Sequence, residues 1–160
     1  MESIVLGGGC FWGLEKLFGE FEGVVETSVG YAGGEESEAM YSVVKTGKTP
    51  HVEAVQVSFD PEKTSLTKVL EYFFRIHDPT TLDRQGNDIG TQYRSVIFYK
   101  NEQQKKISEE VISKVRSEGF WQGEIVTSLE PFATYFLAED YHQKYLEKNP
   151  AGYTCHFYRK

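Results

Sequence analysis

The residue best placed for covalent chemistry is Cys10, which follows three consecutive glycines at positions 7–9. A short apolar strand, predicted over residues 3–6, enters the glycines, and an amphipathic helix begins at Cys10. Unpaired backbone N–H groups and the positive end of the helix dipole meet there and favour a thiolate. Phe11 and Trp12 oppose this effect by removing water from the sulfur. The sequence predicts a nucleophile without giving the sign of its pKa shift, and a buried inert thiol is the alternative.

The glycine run is also compatible with part of a dinucleotide-binding fingerprint, which requires G-x-G-x-x-G. Counting from Gly7 and Gly9 places Trp12 at the third glycine position. An indole cannot make the close helix–strand contact that this glycine provides. The mismatch excludes a dinucleotide site, and no cofactor is predicted.

A second candidate is Glu53, on a strand predicted over residues 51–60. Because side chains alternate along a strand, Glu53 shares the more apolar face with Val55, Val57 and Phe59. Burial on that face would raise the pKa of the carboxyl, keep it protonated near neutrality and make it a general acid. The alternative is a strand-end position from which the carboxyl reaches water or an arginine.

Three further polar residues carry little information alone. Tyr41 and Tyr93 belong to a chain with ten tyrosines, most of which are expected to pack, and Asp88 lies in a turn-like Gly-Asn-Asp-Ile-Gly segment. The four histidines show no spacing typical of a metal site, so none is predicted. His77 falls on the apolar stripe of a helix predicted over residues 66–77 and is expected in the core.

The elements that position these residues follow the order β-α-β-β-α-β. Strands are predicted at 3–6, 24–31, 51–60 and 93–99, with a first helix that Gly23 ends, a second at 66–77 and a short helical piece at 40–46. This order predicts an α+β fold, the ferredoxin-like split βαβ sandwich. A capped helix at 101–117, a strand at 125–129, a helix at 139–148 and an irregular tail follow. The long polar loop 78–92 is expected to be functional or disordered.

Composition excludes several classes of protein. With 160 residues, 14% of them aromatic, the chain has the size and core of one domain, residues 1–160. A net charge of −7 argues against a nucleic-acid partner. Neither a signal peptide nor a membrane span is expected, which favours a cytoplasmic protein, taken to be a monomer. In that compartment Cys10 and Cys155 would rest reduced, and a disulfide between them would be transient and catalytic.

Several motifs together resemble the A-type peptide methionine sulfoxide reductases. The resemblance covers nearly the whole chain and is carried by Gly9-Cys10-Phe11-Trp12-Gly13, Gly30-Tyr31-Ala32-Gly33-Gly34, His51-Val52-Glu53-Ala54-Val55, the run from Arg84 to Ser95, Tyr141-His142-Gln143-Lys144-Tyr145-Leu146 and Asn149-Pro150. The cysteine motif and the long loop motif, in this order, are highly specific together.

The resemblance implies reduction of the S epimer of methionine sulfoxide, with Cys10 attacking sulfur. It further implies that Tyr41, Glu53 and Tyr93 surround the sulfoxide oxygen and that Asp88 supports the site. Phenol hydroxyls and a protonated Glu53 would donate to the oxygen as its charge develops. Phe11 and Trp12 would form a pocket for the methyl group, because sulfur and methyl groups pack well on aromatic rings.

The same resemblance gives Cys155 the role of resolving thiol. After methionine leaves, Cys10 would be a sulfenic acid, which condenses with a nearby thiol, and Cys155 in the irregular tail 149–160 is the only other cysteine. Many family members place a cysteine directly after the Gly-Tyr pair, whereas Thr154 stands there in this chain. A further recycling thiol is missing. A two-cysteine cycle is therefore expected, in which thioredoxin attacks the Cys10–Cys155 disulfide directly.

Two other classes of function remain open at this point. A cysteine hydrolase or acyltransferase would need a histidine paired with Cys10 and oriented by a third group. A binding domain for methionine-containing peptides would use Phe11 and Trp12 without turnover, and its binding would survive loss of the thiol.

Overall fold

The computed structural model describes residues 1–160, and its first half alternates strands and helices. These elements are β1 (Glu2–Gly7), α1 (Phe11–Gly19), β2 (Val24–Ala32), α2 (Tyr41–Val44), β3 (Val52–Phe59) and α3 (Leu66–Ile76). The second half adds β4 (Arg84–Gln85), β5 (Asp88–Ile89), β6 (Val96–Tyr99), α4 (Glu102–Glu118), β7 (Ser128–Pro131), β8 (Tyr135–Leu137) and α5 (Tyr145–Lys148).

The main sheet has six strands in the order β7-β6-β1-β3-β2-β8. Each of the four central strands, in the order β6-β1-β3-β2, is antiparallel to its neighbours within this group, while β7 pairs with β6 in parallel. This is the strand order of the ferredoxin-like split βαβ fold, so the predicted fold class is confirmed. The two outer strands extend that core on either side, and β4 pairs with β5 in a separate small hairpin.

Alternate side chains of the central strands build two apolar layers. The larger layer joins Val55, Val57 and Phe59 of β3 to helices α1, α3 and α4, and the smaller one holds Ala54 and its neighbours on the opposite face. Glu53 belongs by alternation to the larger, helix-covered face, as the strand pattern predicts. No helix of the fold is long and apolar enough to cross a lipid bilayer.

Several predicted boundaries are wrong in ways that matter for the site. Tyr93 lies in a single 3₁₀ turn, Thr91–Tyr93, and β6 begins three residues later at Val96. The polar loop 78–92 contains the short β4–β5 hairpin, α1 ends at Gly19 before Gly23, and β8 was not predicted. The strand predicted at 125–129 lies instead at Ser128–Pro131, where it is in register with β6.

The helix predicted over residues 139–148 is broken in two. A 3₁₀ turn, Asp140–His142, is separated from α5 by Lys144, whose φ of 56° lies in the left-handed region. A lysine in that conformation requires compensation from its surroundings. Here the carboxylate of Glu15 in α1 supplies it, because Glu15 accepts the Lys144 backbone N–H at 2.7 Å.

Glu15 is therefore a buried tie between α1 and the C-terminal segment. Only 3% of Glu15 is exposed, and its carboxylate also accepts the Thr27 hydroxyl at 2.9 Å and the Lys144 ammonium at 3.3 Å. The Lys144 ammonium reaches the Thr27 hydroxyl as well. Three polar groups thus depend on one carboxylate, and the segment that follows β8 is held against α1.

We expect Glu15→Ala to lower the free energy of unfolding by about 2–4 kcal/mol, because it leaves buried donors without an acceptor. Glu20→Ala, at the residue that follows the last residue of α1, is the control. Glu20 is exposed and pairs only with Lys16 at 3.4 Å, so its loss should change stability by less than about 0.5 kcal/mol. Urea denaturation of both variants measures the difference, and equal effects would contradict the role given to Glu15.

Candidate active site

Cys10 is the residue immediately before α1, at the end of the turn that leaves β1. Gly9 makes this turn with a φ of 98°, and a Cβ at Gly9 would lie 2.6 Å from Cγ of Gln85. Both the backbone conformation and the close approach of Gln85 therefore require glycine. Cys10 is about 9% exposed and lies just beyond the end of β1, a central strand of the sheet; the surroundings of its thiol are called the pocket.

Glu53 is placed beside Cys10 by the pairing of β3 with both of its neighbours. Glu53 pairs with Tyr31 of β2, and the next residue of β3, Ala54, pairs with Gly7 at the end of β1. The Glu53 carboxyl therefore lies where β1 ends and the chain turns into α1. The side chain is 1% exposed, and its Oε1 accepts the backbone N–H of Phe11 at 3.3 Å. The alternative of a strand-end carboxyl reaching water is excluded by this burial.

The pKa of Glu53 is raised to about 8, chiefly by burial; the Phe11 N–H opposes this rise, and the charge of Asp88 adds a smaller contribution to it. Near neutrality the carboxyl is thus largely protonated. A buried carboxylic acid close to a thiol is able to give a proton to a substrate oxygen, which an ordinary exposed glutamate at this pH is not.

The pKa of the Cys10 thiol is raised as well, chiefly by burial and next by the charge of Glu53. The backbone N–H of Trp12 lowers the pKa of the thiol, as expected at a helix N-terminus, but this effect is smaller than that of desolvation. This settles the sign that the sequence left open. In the substrate-free protein Cys10 is therefore a thiol.

The remaining titratable candidates converge on the same pocket. Burial raises the pKa of Tyr41, and the charges of Glu53 and Cys10 are the next largest causes of this rise. Burial also raises the pKa of Tyr93, followed by the charges of Glu53 and Asp88. Each of the six titratable side chains singled out from the sequence is within electrostatic range of at least one other: Cys10, Tyr41, Glu53, Asp88, Tyr93 and Cys155. The structure therefore brings together residues that are separated by up to 145 positions in the chain.

The two aromatic candidates are held differently. Phe11 is fully buried and packs with Tyr31 and His142, so its ring backs the pocket from inside the core. Trp12 is partly exposed and is fixed on two sides. Its Nε1–H donates to Nδ1 of His142 at 2.9 Å, and its ring stacks on Tyr145 with centroids 3.8 Å apart. Of the two, Trp12 is the one that presents a surface to a ligand.

Sequence reasoning missed Glu139 and His142, which orient the predicted residues. Glu139 accepts the backbone N–H of Tyr41 at 2.9 Å and the hydroxyl of Tyr31 at 2.6 Å. His142 is fully buried, and its Nε2 lies 4.0 Å from the Glu139 carboxylate. The only signal for His142 was its place in the Tyr-His-Gln-Lys-Tyr-Leu motif, while Glu139 gave none.

Cys155 lies in the tail beside the β4–β5 hairpin, and both cysteines are free. Its Sγ is 3.9 Å from the Gln85 carbonyl oxygen and 3.9 Å from Oδ2 of Asp88. The hydroxyl of Tyr153 donates to the same carboxylate oxygen at 3.2 Å. Asp88 thus connects the tail to the pocket, and it is more than a turn residue.

None of the four histidines forms a hydrogen bond with Cys10, as a cysteine hydrolase would need. His77 is fully buried in the core, as predicted, and bonds to Phe73 O and the Ser95 hydroxyl. His51 bonds to Thr49, His142 to Trp12, and His156 to the Gly8 carbonyl. No group of three or more His, Cys, Asp or Glu side chains is arranged to hold a metal ion.

Comparison with known proteins places this pocket in a family. The family described as "Peptide methionine sulfoxide reductase" matches residues 2–160. Peptide methionine sulfoxide reductase MsrA of Nitrobacter winogradskyi is 51% identical over 158 residues, which is 99% of this chain and 86% of that protein. The protein of the same name from Mycobacterium tuberculosis is also 51% identical, over 99% of this chain and 85% of its own length.

Solved structures agree. Mxr1 from Saccharomyces cerevisiae in its reduced form superposes with a TM-score of 0.94 at 40% identity, covering 99% of this chain and 92% of that one. Methionine sulfoxide reductase A of Corynebacterium diphtheriae gives 0.84 at 43% identity, covering 96% and 77%. Mxr1 in complex with Trx2 gives 0.67 at 26% identity, covering 99% and 90%.

The pocket holds a buried thiol and a buried carboxylic acid. The chain that forms it matches this family over almost its whole length, in sequence and in structure. The chain belongs to the peptide methionine sulfoxide reductase family, in its A type, and is an oxidoreductase.

Proposed function

We propose that this protein reduces the S epimer of methionine sulfoxide, free or within proteins, to methionine, with Cys10 as the nucleophile. The observation that carries the proposal is the pairing of the Cys10 thiol with a Glu53 carboxyl whose pKa is raised to about 8. A thiol and a carboxylic acid together supply the attacking sulfur and the proton that the departing oxygen needs.

The pocket suits a neutral but strongly polarised ligand. Near neutrality Cys10 and Glu53 both carry protons, and the phenols of Tyr41 and Tyr93 are un-ionised because burial raises the pKa of each. Three O–H donors therefore face a site able to take the sulfoxide oxygen, and Trp12 offers an aromatic wall to the methyl group. Asp88 supports the site from the side of the tail.

In the first step Cys10 attacks the sulfoxide sulfur while Glu53 gives its proton to the oxygen. The proton leaving the Cys10 thiol restores Glu53. The S–S bond formed by this attack and the sulfoxide S–O bond then both break. The hydroxyl group moves to Cys10 Sγ, which becomes a sulfenic acid, and the electron pair of the S–S bond leaves with methionine. One oxygen atom and two electrons are exchanged between the sulfurs, so the step needs no other reactant.

In the second step Cys155 attacks the sulfenic sulfur of Cys10. An S–S bond replaces the S–O bond, and the displaced hydroxide takes up the Cys155 proton and leaves as water. This assigns the whole chain to one catalytic domain whose tail, residues 149–160, carries the resolving thiol. The tail lies over the hairpin that holds Asp88, which supports this assignment.

Thioredoxin then reduces the Cys10–Cys155 disulfide by thiol–disulfide exchange and is itself oxidised. The yeast relative's complex with Trx2 supports this choice of reductant. The chain contains only two cysteines, so no third thiol is available to relay the electrons, and the exchange acts on this disulfide directly.

Replacing the acid tests the first step. Glu53→Gln keeps an acceptor for the Phe11 N–H but has no acidic proton, so we expect methionine formation in a single turnover to slow about 10²–10⁴-fold at neutral pH. Glu26→Gln, at an exposed position of neighbouring β2, is the control and should match the unmodified enzyme. A Glu53→Gln enzyme with the unmodified rate would remove Glu53 from the role of proton donor.

The protonation of Glu53 is also testable through stability. A carboxyl whose pKa rises from 4.5 to about 8 on folding stabilises the fold fully below pH 4.5, and this contribution is lost as the pH rises through about 8. We expect the unmodified protein to lose about 1.4 kcal/mol per pH unit relative to Glu53→Gln between these values. Chemical denaturation of both at pH 5, 6, 7 and 8 (roughly the window between the two pKa values) measures this, and parallel curves would contradict a raised pKa.

Counting products in a single turnover with S-methionine sulfoxide and no added reductant tests the cycle. About one methionine per chain with both thiols lost is expected. Cys155→Ser should release the same methionine and stop at the sulfenic acid. If only one thiol disappears from the unmodified enzyme, Cys155 is not the resolving thiol. If no methionine appears, the alternative of a peptide-binding domain is favoured, and its peptide binding should survive Cys10→Ser.

A further inference from the structure

The tail that carries Cys155 is anchored at its next residue. Within residues 149–160 His156 alone is buried, with 6% of its surface exposed, whereas Phe157 and Tyr158 are about half exposed. Its ring Nε2 lies 2.7 Å from the carbonyl oxygen of Gly8, two residues before Cys10. A side chain from the tail thus enters the turn that presents the nucleophile.

The ring fits because two glycines flank Cys10. A Cβ on Gly9 would lie 3.0 Å from His156 Nε2. A Cβ on Gly13 would overlap His156 Nδ1 and lie 2.5 Å from the Thr154 hydroxyl oxygen. Gly13 is in the first half of α1, where it has no positive φ, so close approach alone excludes a side chain there. These two glycines and the Gly8 carbonyl form what we call the histidine notch.

The hydrogen bond fixes the protonation of the ring. A carbonyl oxygen only accepts, so Nε2 carries the hydrogen, and burial lowers the pKa of His156 to about 4, which keeps it neutral near neutrality. Nδ1 is then a bare acceptor, and it lies 3.9 Å from Cys155 Sγ. The notch therefore holds the residue next to the thiol and also offers an acceptor to it.

A second attachment follows three residues later. The backbone N–H of Arg159 donates to the Arg75 carbonyl at 3.0 Å, and the Arg75 guanidinium returns a bond to the Arg159 carbonyl at 3.3 Å. The tail is consequently held on the C-terminal side of Cys155 at two points. On its other side Thr154, Tyr153 and Ala151 are exposed.

We propose that His156, seated in the histidine notch, is a positioning residue for the second step, which brings the Cys155 thiol within reach of the Cys10 sulfenic acid. The inference rests on the proposed function, since it requires Cys155 to be the resolving thiol. Anchoring a thiol converts an encounter between a loose tail and the pocket into a reaction of neighbouring groups, an effect that is large when reacting atoms are already close. Methionine release, which precedes the second step, does not use His156.

The test follows both steps in one single turnover with S-methionine sulfoxide and no reductant. Methionine is quantified over time, and the sulfenic acid is trapped with dimedone while free thiols are counted. For His156→Ala we expect an unchanged rate of methionine release, disulfide formation slowed at least about tenfold, and accumulation of trapped sulfenic acid. His156→Gln keeps an N–H donor for the Gly8 carbonyl, and it should restore most of the rate.

The notch can also be filled from the helix side. Gly13→Ala puts a methyl group where the His156 ring lies, so this variant should slow disulfide formation as His156→Ala does. Alanine is otherwise favoured over glycine inside a helix, so helix propensity does not explain such a loss. Gly19→Ala is the matched control, because nothing lies within 4 Å of a Cβ at that end of the same helix. The double variant Gly13→Ala/His156→Ala should be no slower than either single one, since both remove the same contact.

The outcomes separate the two levels of the proposal. Normal disulfide formation in His156→Ala, or slow formation that glutamine does not restore, would overturn the positioning role while leaving Cys155 as resolver. A parallel loss of methionine release would show that the variant damages the whole site, and it would also overturn the role. If the unmodified enzyme loses only one thiol, or Cys155→Ser never accumulates sulfenic acid, the resolving assignment itself fails, and the inference about His156 fails with it.

Discussion

The buried Glu53 carboxyl constrains the rest of the site. Its burial is set by its position on β3, between β1 and β2, on the face that α1 covers. Removing a carboxylate from water is costly, and here the cost is reduced by protonation and by one hydrogen bond, from the Phe11 N–H. That bond also joins the start of α1 to the strand, so the buried carboxyl is tied to the backbone that presents Cys10.

The same burial explains why the helix N-terminus does not produce a resting thiolate. Dipole and N–H groups favour negative charge at Cys10, but desolvation and the neighbouring carboxyls oppose it more strongly. An uncharged thiol beside an uncharged acid is a consistent pair, because either charge would raise the pKa of the other group. In the proposed mechanism this thiol and this acid stay uncharged until a substrate with its own polarised oxygen and sulfur enters, and the phenols and Glu53 would stabilise the charge that then develops.

Much of this arrangement was predictable, for identifiable reasons. Alternation along β3 placed Glu53 on the helix-covered face, and the glycine run before an apolar helix placed Cys10 at a helix start. The break at Lys144 was not predictable, because it depends on a buried contact with Glu15, 129 positions away. Glu139 was missed for the same reason: a single glutamate in a polar stretch gives no sign that it will accept the N–H of Tyr41. Local pattern identified Cys10 and Glu53, whereas long-range contacts decide what orients the residues around them.

The glycines around Cys10 illustrate this division between pattern and contact. In the sequence they indicate a backbone that something approaches closely, and the mismatch at Trp12 excluded a dinucleotide as that group. In the fold the approaching groups belong to the chain itself: His77 and Phe73 against Gly8, Gln85 against Gly9, and His156 against Gly13. Each neighbour comes from a different part of the chain, namely α3, the β4–β5 hairpin and the tail. The glycines are therefore required because three separate segments must meet the nucleophile's turn at once, and a side chain at any of these positions would displace one of them.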